Sequence, residues 1–198
     1  MELLLIRHAL PERIEAAEGR ADPNLSPKGE QQAELLGEWL SSEHIDAIYA
    51  SPMARAAQTA AAVCAHHGHD VITETGVIEF DSGANSYIPY EEMDTTSEEF
   101  RAMVTGAWAS LGGPDPGPFR STVVESIERI ATDHPSQTVA IVCHAGVINA
   151  YMAHLLGIDR PLFFNPYYTS INRVLASSKG PRMVQSLNET AHLRGTSL

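Results

Sequence analysis

The sequence predicts an α/β fold in which helices flank a mainly parallel sheet. Short β-rich runs alternate with helical patterns along most of the 198 residues, as expected of consecutive βα units. Two of these runs, residues 3–7 and Thr138–Cys143, are almost wholly apolar, which is typical of strands covered on both faces. The chain has no internal repeat and no long linker, so we expect a single domain over residues 1–198.

The first third of the chain supplies three strands and two helices. After the strand at residues 3–7, Ser26 and Pro27 open a helix, because serine caps a helix N-terminus and proline fits its first position. The remaining elements are a strand at 45–49, an alanine-rich helix at 53–66 and a short strand at 71–74.

An insertion is predicted at about residues 77–119, where the alternation breaks. A helix at residues 97–108 would carry Phe100 and Trp108 roughly on one face. The run at residues 112–118 is rich in glycine and proline and is predicted to be a loop.

The last third of the chain predicts two helices and three strands. Thr122 and Glu125 form a capping box that opens a helix, and this helix stops before Pro135. Residues from 188 onward are predicted to be a frayed tail, with a position over the site as the alternative. The other elements are a strand at Thr138–Cys143, a helix at 146–156 and a hairpin of strands at Ile171–Ala176 and 183–187.

Composition and charge restrict the class of partner. With 25 acidic and 13 basic residues the formal net charge is −12, so neither nucleic acid nor an anionic membrane is an expected partner. The N-terminal apolar run is too short for a signal peptide or a membrane span, and a cytoplasmic protein is expected. Cys64 and Cys143 lie in apolar surroundings and are expected to be buried thiols. Leu162, Phe163 and Phe164 are assigned to the core, with a pocket wall or a homodimer contact as alternatives.

Cationic and nucleophilic side chains follow three of the predicted strands. Arg7 and His8 end the first strand, and Arg55 lies in the first turn of the helix after the second. His144 follows the strongest strand. Ligands of open parallel sheets bind at the carboxyl ends of the strands, so we expect these four side chains to converge there.

The four side chains together suit a phosphoryl group. Arginine binds two of its oxygens with a planar fork, and the helices that follow two of the strands add N–H donors. One neutral imidazole can attack phosphorus, and a second, protonated imidazole can stabilise the charge on oxygen. These groups supply the positive charge, so neither a metal nor a cofactor is expected. The leaving oxygen needs a proton from a carboxyl of raised pKa, and Glu79 is the best placed, with Glu74, Asp81 and Glu91 as alternatives.

Five motifs occur in an order that resembles a known family. They are Arg7 with His8, the run from Asp22 to Ala33, the block from Ser51 to Ala60, the loop from Ile78 to Gly83, and His144 with Ala145 and Gly146. Together these motifs resemble those of the histidine phosphatases, the phosphoglycerate-mutase-like superfamily.

The resemblance implies a three-layer α/β/α sandwich with a mainly parallel sheet and no obligatory metal. It implies that His8 is the nucleophile and carries a phosphohistidine intermediate. It also implies that Arg7, Arg55 and His144 form the phosphate pocket, and that Glu79 is the general acid and then the general base.

Three positions depart from the family pattern. Ala9 and Ala145 stand where the motifs have glycine, and both small residues are expected to be tolerated. Ile14 stands where the family often has an asparagine that contacts the phosphate. That contact is therefore either missing or supplied from elsewhere, with Arg13 as a candidate.

The composition of the insertion predicts the kind of leaving group. Between Ala56 and Phe119 the only lysine or arginine is Arg101, whereas aromatic and acidic residues are frequent. A second phosphate would require further cations. We therefore expect an enzyme that hydrolyses a monophosphate ester, either a small molecule or a phosphorylated residue, whose remainder is neutral, cationic or partly aromatic.

Two other functions remain as alternatives. A mutase-type phosphotransferase would need a long lid to keep water from its phosphorylated intermediate, and the insertion here is modest. A phosphoryl-binding protein that has lost turnover would explain Ile14 and the two substituted glycines. Against this second alternative, every group that the chemistry needs is present in the sequence.

Overall fold

A six-stranded mixed sheet lies between two layers of helices in the computed structural model, which describes residues 1–15, 19–89, 92–107, 115–177 and 180–197. The strands are β1 (Glu2–Arg7), β2 (Ala47–Ala50), β3 (Val71–Thr73), β4 (Thr138–Cys143), β5 (Ile171–Ala176) and β6 (Arg182–Glu189).

The strand order across the sheet is β3-β2-β4-β1-β5-β6. The first four strands in that order are parallel to one another, whereas β5 is antiparallel to both β1 and β6. The predicted mainly parallel sheet with a closing hairpin is therefore confirmed. Since β1 and β4 are central, their carboxyl ends lie at the middle of one sheet edge.

The helices cover both faces of this sheet. Leu3 and Leu5 of β1 pack on one face under the fourth and fifth helices, and Leu4 and Ile6 pack on the other face under the first two. This arrangement confirms the predicted three layers. The helices are α1 (Pro27–Leu40), α2 (Ala54–Cys64), α3 (Glu98–Thr105), α4 (Pro116–Asp133) and α5 (Ala145–Leu156).

The predicted cap of α1 forms as its sequence indicates. The Ser26 hydroxyl accepts a hydrogen bond from the Gly29 N–H at 3.1 Å, and Pro27 occupies the first helical position. Cys64 and Cys143 are both buried and unpaired, as predicted. Among the described helices, none is long and apolar enough to cross a membrane.

The capping box predicted at Thr122 is wrong, because α4 begins well before it. The N-cap is Asp115, whose carboxylate accepts a hydrogen bond from the Gly117 N–H at 2.9 Å. Pro116 and Pro118 fit in the first turn, where backbone N–H groups have no partner within the helix. Thr122 is already inside α4, and its hydroxyl donates to the Pro118 carbonyl at 3.1 Å.

The insertion helix α3 is shorter than the predicted helix at 97–108. It begins after Ser97, whose hydroxyl accepts from the Phe100 N–H at 3.0 Å, and it ends at Gly106 with a φ of 77°. A left-handed glycine stops a helix without strain. Trp108 and the predicted loop residues 112–114 lie outside the described part of the chain.

The C-terminal segment is not the frayed tail that the sequence predicts. The strand β6 continues to Glu189, and a turn of 3-10 helix follows at Ala191–Leu193. His192 in this turn is buried, and its Nε2 lies 2.9 Å from the Thr169 hydroxyl. This hydrogen bond gives the segment a fixed position, which composition alone did not indicate.

Candidate active site

Four buried side chains meet at the carboxyl ends of β1, β2 and β4. Arg7 is the last residue of β1 and His8 follows it, Arg55 lies in the first turn of α2, and His144 is the N-cap residue of α5; none is more than 2% exposed. The ring centroids of His8 and His144 are 5.1 Å apart, and the Arg55 Nε lies 3.2 Å from the His8 Nε2. The structure thus brings together the four residues that the sequence placed at the strand ends.

The hydrogen bonds of His8 define its tautomer. Its Nδ1 lies 2.8 Å from the Ala9 carbonyl, which can only accept, so Nδ1 carries the proton. Its Nε2 accepts a hydrogen bond from the Arg55 Nε–H and therefore carries a lone pair. His8 is a neutral imidazole whose Nε2 is held unprotonated inside the cluster.

The surroundings favour the neutral form of both histidines. Burial lowers the pKa of His8 well below its ordinary value, and the neighbouring Arg55, His144 and Arg7 lower it further. Burial is also the largest cause of the lowered pKa of His144, followed by Arg55 and Arg7. The second histidine can stabilise charge on oxygen only when it is protonated, and these surroundings favour its neutral form.

An aromatic ring lies against each of the two arginines. The Arg7 Nη1 donates to the Pro166 carbonyl at 2.7 Å, and its guanidinium stacks 3.8 Å from the Tyr168 ring centre. The Arg55 guanidinium lies 4.7 Å from the Tyr87 ring centre. The two rings orient the guanidinium groups of Arg7 and Arg55, which keep their positive charge in the cluster.

The Arg55 guanidinium has a buried donor without a hydrogen-bond acceptor among the described residues. The Arg55 Nη1 makes no hydrogen bond within the described residues, and the nearest carboxylate oxygen, of Asp22, is 3.8 Å away. An unsatisfied buried guanidinium N–H is costly unless a ligand completes it. The surplus of positive charge and this free donor favour a bound anion beside His8.

Glu79 lies close to the cluster and is only 8% exposed. Its Oε2 accepts from the Gly146 N–H at 2.9 Å, and its Oε1 accepts from the Phe80 N–H at 3.0 Å. Burial is the largest cause that raises its pKa to about 7, and the nearby Asp81 is the second. A carboxyl with this pKa can both donate and accept a proton at neutral pH.

The glycine at position 146 is required by the approach of Glu79. A Cβ on Gly146 would lie 2.2 Å from the Glu79 Oε1. Position 145, where the family motif has another glycine, carries an alanine without a positive φ. The glycine that matters for the carboxylate is therefore the one this chain retains.

A cleft of about 290 Å³ opens from the cluster. Its inner end contains Arg7, His8, Arg55, Glu79 and Asp81. Its outer walls are mainly apolar and come from the insertion and from the segment that follows α5. The wall residues are Phe80, Tyr87, Ile88, Met93, Phe100, Val104, Leu162, Phe163 and Phe164. Among the described residues, none from 188 onward lines this cleft.

The model of the histidine phosphatase superfamily (branch 1) matches residues 3–189. This chain belongs to the histidine phosphatase superfamily. It is 33% identical over 203 residues to phosphoserine phosphatase 1 of Hydrogenobacter thermophilus, covering 98% of this chain and 94% of that protein. It is 27% identical over 157 residues to phosphoglycerate mutase-like protein 4 of Arabidopsis thaliana, covering 75% and 68%.

Solved structures support the same fold. The phosphoserine phosphatase of Entamoeba histolytica, in complex with 3-phosphoglyceric acid, superposes with a TM-score of 0.74 at 24% identity, over 97% of this chain and 98% of that one. The Bacillus stearothermophilus protein YhfR superposes with a TM-score of 0.78 at 22% identity, over 97% and 98%. The predicted family is confirmed, and the protein is a phosphomonoester hydrolase.

Several motif residues of this histidine phosphatase support the loops around the site. The Gln32 Oε1 accepts from the Leu10 N–H at 2.9 Å, and the Thr59 hydroxyl accepts from the Ala9 N–H at 3.0 Å. Gln58 holds the loop that contains Leu25, since its Oε1 accepts from the Leu25 N–H at 2.8 Å. Gln32 and Thr59 therefore position the loop that follows His8.

Three supporting residues were missed at the level of sequence. The Ser51 hydroxyl lies 2.9 Å from the His144 Nε2, and Asp22 accepts from the Ala54 N–H at 3.0 Å. Tyr168 stacks on Arg7, as described above. Ser51 and Asp22 lie within the quoted motifs and could have been found there, whereas nothing in the sequence pattern marked Tyr168.

The phosphate contact considered for Arg13 is not what the structure shows. Arg13 is half exposed and pairs with Glu92 at 2.9 Å and with Glu15 at 3.1 Å, outside the residues that line the cleft. Ile14 instead pairs through its backbone with Tyr87, with hydrogen bonds of 3.0 and 2.7 Å. The position without asparagine therefore helps to hold the ring that stacks on Arg55.

No group of three or more histidine, cysteine, aspartate or glutamate side chains in the described ranges is arranged to hold a metal ion. Phe163 and Phe164 pack against the core and also line the cleft, so two of the assignments considered for this run apply together.

Proposed function

We propose that this histidine phosphatase hydrolyses phosphomonoesters through a phosphohistidine on the Nε2 of His8. The observation that carries the proposal is the unprotonated Nε2, which is fixed by the Ala9 carbonyl on one side and by Arg55 on the other. A buried neutral imidazole among cations is a nucleophile aimed at an electron-poor centre.

In the first step the His8 Nε2 forms a bond to phosphorus while the bond from phosphorus to the leaving oxygen breaks. Protonated Glu79 gives its proton to that oxygen, and the alcohol departs. In the second step the Glu79 carboxylate takes a proton from a water molecule, whose oxygen bonds to phosphorus as the P–N bond breaks. Inorganic phosphate leaves, and both residues return to their starting states.

Arg7, Arg55 and His144 are the proposed phosphate ligands. The free Arg55 Nη1 would donate to a phosphoryl oxygen, and the Arg7 fork would neutralise a second. A bound dianion favours the protonated form of His144, so the substrate itself would offset the lowered pKa of that residue. The charge that develops on the oxygens in the transition state is then held by three groups.

The segment at 77–119 is the proposed lid of a single domain. Its described residues supply Tyr87, Met93, Phe100 and Val104 to the cleft wall. One protein that is similar in sequence and one that is similar in structure are phosphoserine phosphatases, so phosphoserine is the first natural ester to test on this chain. A cytoplasmic location and a homodimer remain predictions.

Hydrolysis without added metal tests the proposal. Wild-type protein in a chelating buffer is expected to release phosphate from phosphoserine and from p-nitrophenyl phosphate, and His8→Ala to lose at least about a thousandfold in kcat. Exposed His154 provides the matched control, and His154→Ala should retain wild-type activity. An acid-labile phosphoryl group that is trapped on the wild-type protein but not on His8→Ala would identify the phosphohistidine intermediate. Equal turnover by wild type and His8→Ala would contradict the mechanism.

A further inference from the structure

The outer half of the cleft differs in chemistry from its inner end. The wall side chains include the rings of Phe100, Phe163 and Phe164 and the aliphatic chains of Ile88 and Val104. A small polar remainder would leave these walls without a partner and would lose its own hydration beside them. The outer half is therefore suited to an apolar, flat group.

In the part of the chain that the structure describes, one cation, Arg160, lies at the rim of this outer half. Arg160 lines the cleft from the segment after α5, is exposed, and makes no hydrogen bond or ion pair with the described residues. Next to it, Pro161 contacts the end of α3 so closely that a Cβ on Gly106 would lie 2.8 Å from the Pro161 Cγ. Arg160 thus lies where the lid meets the body of the protein.

Among the described residues, the carboxylates that line the cleft lie at its inner end. They are Glu79 and Asp81, and burial raises the pKa of both. The other acidic lid residues that the structure describes, such as Glu92 and Glu98, are exposed and do not line it. The described residues therefore present a positive charge to the outer end of a ligand. This finding changes the expectation from composition, which counted the lid residues alone and favoured a neutral or cationic remainder.

We propose that the preferred leaving group is an aromatic ring that carries a carboxylate. The ring packs between Phe100 of the lid and Phe163 and Phe164, and the carboxylate pairs with the Arg160 guanidinium at the rim. A cleft of about 290 Å³ is near the lower limit of ligand pockets, which suits a phosphoryl group and one substituted ring. The proposal rests on the phosphatase function proposed above and names its class of substrate.

Three aryl phosphates with similar phenol leaving groups test which charge on the leaving group the cleft prefers. They are 4-ethylphenyl phosphate, tyramine phosphate and 3-(4-phosphonooxyphenyl)propanoate, whose substituents are neutral, cationic and anionic. For wild type, kcat/KM is expected to be about three- to tenfold higher for the anionic ester than for the neutral one, and lowest for the cationic one. The anionic ester is also expected to exceed phosphoserine, which lacks the ring.

Variants of Arg160 assign the preference to that side chain. Arg160→Gln should lower kcat/KM for the anionic ester to the value for the neutral ester, and kcat/KM for the neutral ester should stay unchanged. Arg160→Lys should keep part of the preference for the anionic ester. Arg101 is exposed on the lid helix and outside the cleft lining, so Arg101→Gln is the matched control and should keep the full preference. Phe100→Ala should lower kcat/KM for all three aryl esters more than for phosphoserine.

The outcomes separate this inference from the phosphatase function. If wild type hydrolyses all esters and His8→Ala hydrolyses none, but the anionic ester shows no advantage or Arg160→Gln slows all three equally, the inference fails and the phosphatase stands. If wild type hydrolyses no ester, the proposed function fails. Calorimetric binding of the three esters to His8→Ala then still tests Arg160, since tighter binding of the anionic ester must disappear with Arg160→Gln.

Discussion

At the scale of residues, the site separates the acid–base properties of two groups that share one buried space. Burial lowers the pKa of His8 because its charged form is a cation, and raises the pKa of Glu79 because its charged form is an anion. The neighbouring arginines add to the first effect, and Asp81 adds to the second. At neutral pH the nucleophile is thus unprotonated while a large share of the acid still holds its proton.

The pH dependence of catalysis follows from the lowered pKa of His8 and the raised pKa of Glu79. Above about pH 7 Glu79 loses the proton that the leaving oxygen needs, so kcat/KM for an alkyl phosphate should fall there. Below the lowered pKa of His8 the nucleophile becomes protonated, which gives an acid limb well below pH 6.5. Glu79→Gln should lose about 10²- to 10⁴-fold in kcat and also the alkaline limb. An unchanged alkaline limb in that variant would show that another group titrates.

The raised pKa of Glu79 also affects stability. Between the ordinary carboxyl value and about pH 7 the folded state binds more protons than the unfolded state, so stability falls as pH rises through that window. Wild type should therefore lose about 1–3 kcal/mol between pH 5 and pH 8 relative to Glu79→Gln, measured by urea unfolding. Exposed Glu38 serves as control, and Glu38→Gln should follow wild type at both pH values.

At the scale of elements, the position of His8 depends on two helices that cross the loop after β1. Gly29 in the first turn of α1 lies under the Leu10 carbonyl, which also accepts from the Ser26 N–H and hydroxyl. Thr59 of α2 holds the Ala9 N–H from the other side. The nucleophile is therefore fixed through the backbone of the residues that follow it rather than through its own ring alone.

The close approach of α1 predicts the effect of one methyl group. A Cβ on Gly29 would lie 1.9 Å from the Leu10 carbonyl oxygen, so Gly29→Ala must move the loop or the helix. We expect a loss of about 2 kcal/mol in unfolding free energy and at least a tenfold loss of kcat. Gly83 has no atom within 4 Å of its added Cβ, and Gly83→Ala should change stability by less than about 0.5 kcal/mol. Full activity in Gly29→Ala would contradict this role of the loop.

At the scale of the whole molecule, the sequence predicted the layers, the sheet and the clustering of His8, Arg55 and His144, because apolar strands and the residues after them have local signatures. It did not predict the N-cap of α4, since Asp115 competes with a capping box that is equally good locally. It also missed Arg160, which reaches the cleft only because the segment after α5 packs against α3. Contacts between segments distant in sequence decide such positions.

One arginine of the closing hairpin pairs with three carboxylates from three different segments of the chain. Arg173 on β5 pairs with Glu43 at 2.6 Å, with Glu189 at 3.1 Å and with Glu2 at 3.2 Å, and it is 12% exposed. Arg173→Leu would leave three carboxylates close together without their shared cation, at a cost of about 2 kcal/mol in unfolding free energy.

Urea unfolding at low and high salt measures this cost. In 1 M NaCl the difference between wild type and Arg173→Leu should shrink, because salt screens both the attraction that is lost and the repulsion that remains. Arg13, which pairs with Glu92 and Glu15 at the surface, is the control, and Arg13→Leu should change stability by less than about 1 kcal/mol. Since Glu2 lies at the opposite end of β1 from Arg7, kcat of Arg173→Leu should stay within about twofold of wild type while the protein is folded. A stability equal to wild type would mean that the hairpin is held by its strand pairing with β1, and that the three carboxylates are already well solvated.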